Sequence, residues 1–120
     1  MIAYLVGKII ERGKQHAVVL CGGVGYAVSV PPSIPDQGET VMLYVHSITN
    51  AETGTRLFGF ASYEERARFC ELLAVDSVGP VTALAIVAAN ADVRDVKSLC
   101  AVRGVGAKTA AKILEALHAE

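Results

Sequence analysis

Cysteine is scarce and scattered: Cys21, Cys70 and Cys100 are odd in number and form no C-x-x-C pair. That spacing excludes a disulfide framework and a paired-cysteine zinc site, and it suits small core residues in a reducing cytosol. Long apolar runs are missing too, since none approaches the roughly 18 residues that a membrane helix needs. The opening Met1-Ile2-Ala3-Tyr4-Leu5-Val6 has no basic lead and no signal-length apolar stretch, so secretion is not indicated. An excess of either charge is also lacking, with 11 Lys and Arg against 12 Asp and Glu, a net of -1. A uniformly basic coat for a polyanion is thereby excluded, although a local basic face opposed by an acidic one is not. What is present is apolar. Hydrophobic residues make up 52% and charged residues 19% of the 120, enough for a packed core and against disorder. That length holds one ordinary domain or two small ones.

The first half has the two-residue period of strands. Ile2 to Ile10 is apolar and β-branched, and Arg12-Gly13-Lys14-Gln15 looks like a turn. His16 to Cys21 and Val24 to Val30 are separated only by Gly22-Gly23, a tight hairpin signal. Pro31-Pro32 then ends the third strand, because proline cannot donate to a ladder. Thr40 to Thr49 and Thr55 to Phe60 complete a set of five, joined through Asn50-Ala51-Glu52-Thr53-Gly54. Five short strands in so few residues predict a small closed barrel, which removes exposed edges.

After about residue 61 the period changes to that of helices. Tyr63 to Ala74 gathers Ala67, Phe69, Cys70, Leu72 and Leu73 on one side, with Glu64, Glu65, Arg66 and Arg68 outside. Pro80 suits the first turn of a second helix, where its missing N–H costs nothing. Asp92 is expected to cap Val93 to Cys100, and a last helix runs from about Gly106 to His118, burying Ala110, Ile113, Leu114 and Leu117. The expected layout is α+β: a barrel domain over 1–61, then an all-α domain of four or five short helices over 62–120.

Within the helical half, a short glycine hairpin occurs twice, each time opening an alanine-rich helix. The first copy is Asp76-Ser77-Val78-Gly79-Pro80 and the second Arg103-Gly104-Val105-Gly106-Ala107-Lys108-Thr109. Glycine turns tightly and leaves its amides uncovered, and the following helix aims unpaired N–H groups and a positive dipole end outward. Such an arrangement seats a phosphate without reading bases. The amides of Gly104, Val105 and Gly106 are expected to face one DNA phosphate, with the Val105 side chain anchoring the hairpin in the core. Lys108 and Lys112 lie four apart on one helix face, where they either bracket the same strand or stay as two solvated lysines. Arg103, Lys108 and Lys112 against Glu115 and Glu120 make this neighbourhood locally positive.

The paired hairpin–helix units look like tandem helix-hairpin-helix motifs. With the barrel, they resemble the RuvA family of bacterial Holliday-junction branch-migration proteins. Further matching stretches are Met1 to Gly7, Gly22-Gly23-Val24-Gly25-Tyr26-Ala27-Val28, Leu57-Phe58-Gly59-Phe60, Glu65-Arg66 through Leu72, and Lys108-Thr109-Ala110. The resemblance implies an OB-type barrel joined to the tandem motif, a homotetramer, and one or two tetramers holding a four-way junction flat and open. It implies a RuvB-type ATPase and a RuvC-type resolvase as partners, no cofactor, no metal and no catalytic residue, in the cytoplasm and with no membrane association. DNA contacts carry over to Ser77, Val78, Gly79, Pro80, Gly104, Val105, Gly106, Lys108, Thr109 and Lys112. Glu52 falls at the family's acidic pin, which projects towards the crossover; read alone it is an ordinary loop glutamate.

Three departures stand out. Thr53 follows Glu52 where the family carries a second acid, leaving one negative charge per copy. Ser77 replaces an expected glycine and Val81 a common lysine, which weakens the first seat. The family pattern continues beyond the second motif into a linker and a small helical domain that meets the motor, whereas this sequence ends at Glu120. A second reading is an oligomerising or protein-interaction module whose hairpins never meet DNA, favoured by the near-neutral charge. An enzyme such as a nuclease or glycosylase has little support: His16, His46 and His118 form no metal-like cluster, and no carboxylate pair sits in a recognisable motif.

Overall fold

The computed structural model describes residues 1–118, so Glu120 of the charge balance lies outside the described residues. The chain divides into two compact units, Met1–Arg66 and residues 67 onward. In the first unit, five strands run β1 (Tyr4–Arg12), β2 (His16–Cys21), β3 (Val24–Ser29), β4 (Thr40–Asn50) and β5 (Gly54–Phe60). They close into a barrel in the order β1-β2-β3-β5-β4, with every pairing antiparallel except β3 with β5. That closure, with one parallel seam of Val28 on Leu57 and Ser29 on Phe58, is the OB-type arrangement.

Alternation puts Leu5 and Ile9 of β1, Ala17 and Val19 of β2, and Val41, Leu43 and Val45 of β4 into one buried core. Gly22 and Gly23 both have positive φ, 56° and 86°, as the type I′ turn between β2 and β3 requires. The first strand outruns its expected end at Ile10 and continues through Arg12. The reason is non-local. The Arg12 guanidinium donates to the carbonyls of Gly13 and His16 beside it, and to those of Pro32, Ile34 and Pro35 some twenty residues on. It thus fastens the long β3–β4 connection to the end of β1.

β4 and β5 extend past their other neighbours. β1 covers β4 only as far as Tyr44, and β3 meets β5 only at Leu57 and Phe58. The stretch from Ile48–Arg56 to Asn50–Gly54 is therefore paired only with itself, and Asn50 to Arg56 are exposed. At its tip the Asn50 side-chain oxygen accepts from the amides of Glu52 and Thr53 and from the Thr53 hydroxyl. Glu52 is thus held at the end of a projecting hairpin.

Four helices follow: α1 (Tyr63–Leu73), α2 (Pro80–Ala88), α3 (Val96–Cys100) and α4 (Ala107–His118). Ser62 caps α1 reciprocally, its hydroxyl accepting from Glu65 N–H and donating to the Glu65 carboxylate. α2 ends in a Schellman motif: Asn90 (φ 51°) donates to Val87 O and Ala91 to Ile86 O. The expected cap at Asp92 is corrected. Asp92 instead holds a turn by accepting from Arg94 N–H, and Asp95 caps a shorter α3 through Ser98 N–H. Both aspartates carry the right chemistry, and the turn between them leaves only the later one at a helix start. Phe69, Leu72, Ala83, Ile86, Leu99, Ala110 and Ile113 form the most deeply buried positions of the second unit.

Candidate nucleic-acid interface

The two hairpins can be superposed in sequence by a shift of 27 positions, which pairs Ser77 with Gly104, Gly79 with Gly106, Val81 with Lys108 and Thr82 with Thr109. Their backbones obey the same rule. Gly104 has φ 91° and Ser77 has φ 73°, so both turns need the left-handed region, and only one has the residue suited to it. A side chain there costs roughly 1–2 kcal/mol, while glycine loses about half of that gain to unfolded-chain entropy. With Met at position 112, so that no hydroxyl contact to Lys112 is lost, Ser77→Gly is therefore expected to raise unfolding stability by about 0.5–1 kcal/mol, checked by denaturant melting; no change would show that the turn is already relaxed.

Val78 and Val105, at the hairpin tips, are both buried, which fixes each loop on the core. Their amides are also committed: Val78 N–H donates to Val75 O and Val105 N–H to Val102 O, each at 3.1 Å. The expectation that the Val105 amide faces outward is therefore revised, because closing the turn consumes it. The first helical bonds are Ala83 N–H to Gly79 O and Ala110 N–H to Gly106 O. Amides ahead of those bonds have no partner within their helix. In the second hairpin they belong to Gly106, Ala107, Lys108 and Thr109. In the first they belong to Gly79, Val81 and Thr82, since Pro80 has no N–H to give. Neither Gly79 nor Gly106 has an atom within 4 Å of where a Cβ would stand, so both seats open to solvent.

The side chains differ more than the backbones. Lys108 is exposed beside the second seat, and Arg103 is exposed just before it. At the matching place in the first seat stands Val81, 72% exposed and uncharged. Lys112 does not stand free beside Lys108. Its ammonium lies 3.2 Å from the Asp76 carboxylate and 3.0 Å from the Ser77 hydroxyl, across on the first hairpin. In the other direction, Thr82 Oγ1 lies 3.6 Å from the Cβ position of Gly104. Each helix thus leans on the other's hairpin. Asp76 is the residue of this pairing to which the sequence reading gave no contact; its partner is 36 positions away, and only its mismatch with Arg103 hints at it. Glu52 belongs to the first unit, at the tip of the β4–β5 hairpin.

Residues 1–59 match the model of the RuvA N terminal domain, and residues 69–119 match the SAM-like helix-hairpin-helix tandem. The chain is 39% identical over 98% of its length to the Holliday junction branch migration complex subunit RuvA of Desulforudis audaxviator. The proteins of that name from Oleidesulfovibrio alaskensis and Paraburkholderia xenovorans are 38% and 36% identical, each over 95% of this chain. The chain belongs to the RuvA family. It spans 64%, 63% and 65% of the length of these three relatives, less than two thirds in each case. The first match takes in all of the barrel strands but Phe60, and the second takes in both hairpins. Among the described residues, no group of three or more His, Cys, Asp or Glu could hold a metal ion, and no helix is long and apolar enough to cross a membrane.

Proposed function

We propose that this chain is the junction-binding subunit of a branch-migration complex, holding a Holliday junction through its phosphates while a RuvB-type ATPase moves the arms and a RuvC-type resolvase cuts. The observation that carries this reading is the second hairpin: four uncommitted amides, an exposed Lys108 and a positive helix end on one open surface. None of these groups reads a base, so recognition is of backbone path and not of sequence. The subunit contributes no catalytic residue and acts in the cytoplasm.

Four copies are needed to address four arms, and the barrel offers a surface for their assembly. Tyr4 and Val6 of β1, Leu20 of β2 and Met42 of β4 are large, apolar and exposed, and Val6 and Met42 are register partners on adjacent strands. An apolar strip of this kind on a folded barrel supports self-association. Glu52, one carboxylate per copy at the end of the projecting hairpin, is the acid that would stand among phosphates at the crossover and repel them.

The test is a gel-shift series with a four-way junction and a linear duplex of the same composition, over a range of salt. The junction is expected to bind more tightly, with affinity falling linearly on a log–log plot against salt. Equal affinity for both would end the junction reading. No salt-dependent binding to either would favour the protein-interaction module instead. Within the same series, Val81→Lys restores the charge that Lys108 has in the second seat. It is expected to steepen the salt slope by about 0.9 per engaged copy; an unchanged slope would remove the first seat from the interface.

A further inference from the structure

The first hairpin holds a lysine that belongs by sequence to the second motif. Lys112 on α4 places its ammonium between the Asp76 carboxylate, at 3.2 Å, and the Ser77 hydroxyl, at 3.0 Å. The two charges are unequally placed: the Lys112 side chain is 35% exposed, whereas that of Asp76 is 89% exposed. The cation is partly packed and fixed in direction, and the anion stands almost wholly in water. Two hairpin features serve this arrangement. Ser77 occupies a left-handed turn position suited to glycine, and its hydroxyl is the second acceptor for the ammonium. Asp76 occupies the place that Arg103 has in the second hairpin, reversing the charge there.

We propose that Asp76 is a latch: its carboxylate stands in for a DNA phosphate on Lys112 and sets how firmly the first hairpin grips. This rests on the phosphate-binding reading given above and deepens it. An ion pair so open to water exchanges readily. A phosphate arriving at the amides of Gly79, Val81 and Thr82 then meets a lysine already oriented but already neutralised. The net release of counterions from the DNA is smaller than a free lysine would give, because Asp76 keeps part of the Lys112 charge balanced or takes up a cation when the lysine leaves it. Asp76 is a positioning residue that acts through Lys112. The first seat becomes a loose hold and the second a firm one, a division that suits DNA which must be moved through its holder.

The experiment compares four proteins, the native chain, Asp76→Asn, Lys112→Met and the double variant, binding the four-way junction between about 50 and 200 mM salt. Asp76→Asn is expected to tighten binding several-fold at the low end and to steepen the salt slope by about 0.9 per engaged copy. In the Lys112→Met background the same substitution is expected to change neither. If Asp76→Asn tightens binding equally with Met at position 112, the carboxylate acts by general repulsion and the latch is overturned. An unchanged slope for Asp76→Asn, with salt-dependent binding by the native chain intact, overturns the latch alone. Loss of salt dependence in the native chain itself overturns the phosphate-binding reading, and the latch with it.

Discussion

Gly106→Asp is expected to lower junction affinity by at least about 100-fold while leaving the protein as stable as before, or slightly more so. The two effects have opposite signs for one physical reason. Gly106 precedes α4, its carbonyl accepts the first helical bond from Ala110, and no atom lies within 4 Å of its Cβ position. A side chain there has room, and its φ is not among the positive ones, so the backbone is not strained by the change. An aspartate at a helix N-cap accepts from the free amides and favours the dipole, which supports folding by a few tenths of a kcal/mol over glycine. Those amides are the ones proposed to hold the phosphate. The new carboxylate both occupies them and repels the incoming anion, by about 4 kcal/mol at 4 Å for an effective dielectric near 20. Gly79→Asp is the internal comparison: it fills the first seat, which has three amides and no free lysine, and its loss is expected to be several times smaller. Thermal melts alongside the gel shifts separate folding from binding. Native affinity in Gly106→Asp would remove the second hairpin as the main phosphate seat.

Local signals proved readable and distant ones did not. Gly22-Gly23 announced its turn because the left-handed backbone it needs is a property of the two residues themselves. The barrel followed from five alternating segments, and its closure order adds only the parallel seam between β3 and β5. The end of β1 was less legible, because what carries that strand to Arg12 is a guanidinium bound to carbonyls on the far side of β2 and β3. Asp92 and Asp95 are equivalent as letters, and only the turn that Asp92 closes decides which one begins a helix. In the hairpins, the glycine pattern located both turns, and Ser77 marked the one whose left-handed position lacks a glycine. That Val78 and Val105 spend their amides on closing the loops shows only in the folded chain. So does the capture of Lys112 by Asp76, which turns an apparent pair of DNA-facing lysines into one free and one engaged.

Met42→Lys is expected to break the proposed tetramer into smaller species, and with it the preference for four-way junctions. Met42 is 63% exposed on the outer side of β4, opposite Val6, itself 51% exposed on β1. Neither side chain reaches the barrel core, so a lysine at position 42 leaves the fold unburdened and keeps its ammonium in water. In an assembly the same ammonium would have to be desolvated against an apolar neighbour. A central aliphatic contact replaced in this way costs about 2 kcal/mol per interface. Closed cyclic symmetry repeats the damage, because every copy carries the substitution and a ring of four has four interfaces. The sum is roughly 8 kcal/mol, close to a millionfold in the assembly constant at about 1.4 kcal/mol per decade. Mass in solution, with and without a four-way junction, reads this directly and also counts the copies on each junction. The hairpins are untouched by the change, so binding to linear duplex should survive, weakened towards the affinity of a single copy. That contrast is what ties shape recognition to assembly: one copy can hold a phosphate backbone, and only several held at fixed angles can tell a junction from a duplex. Met42→Lys that remains tetrameric would place the subunit contacts elsewhere on the molecule, and a monomer that still prefers junctions would sever shape recognition from assembly altogether.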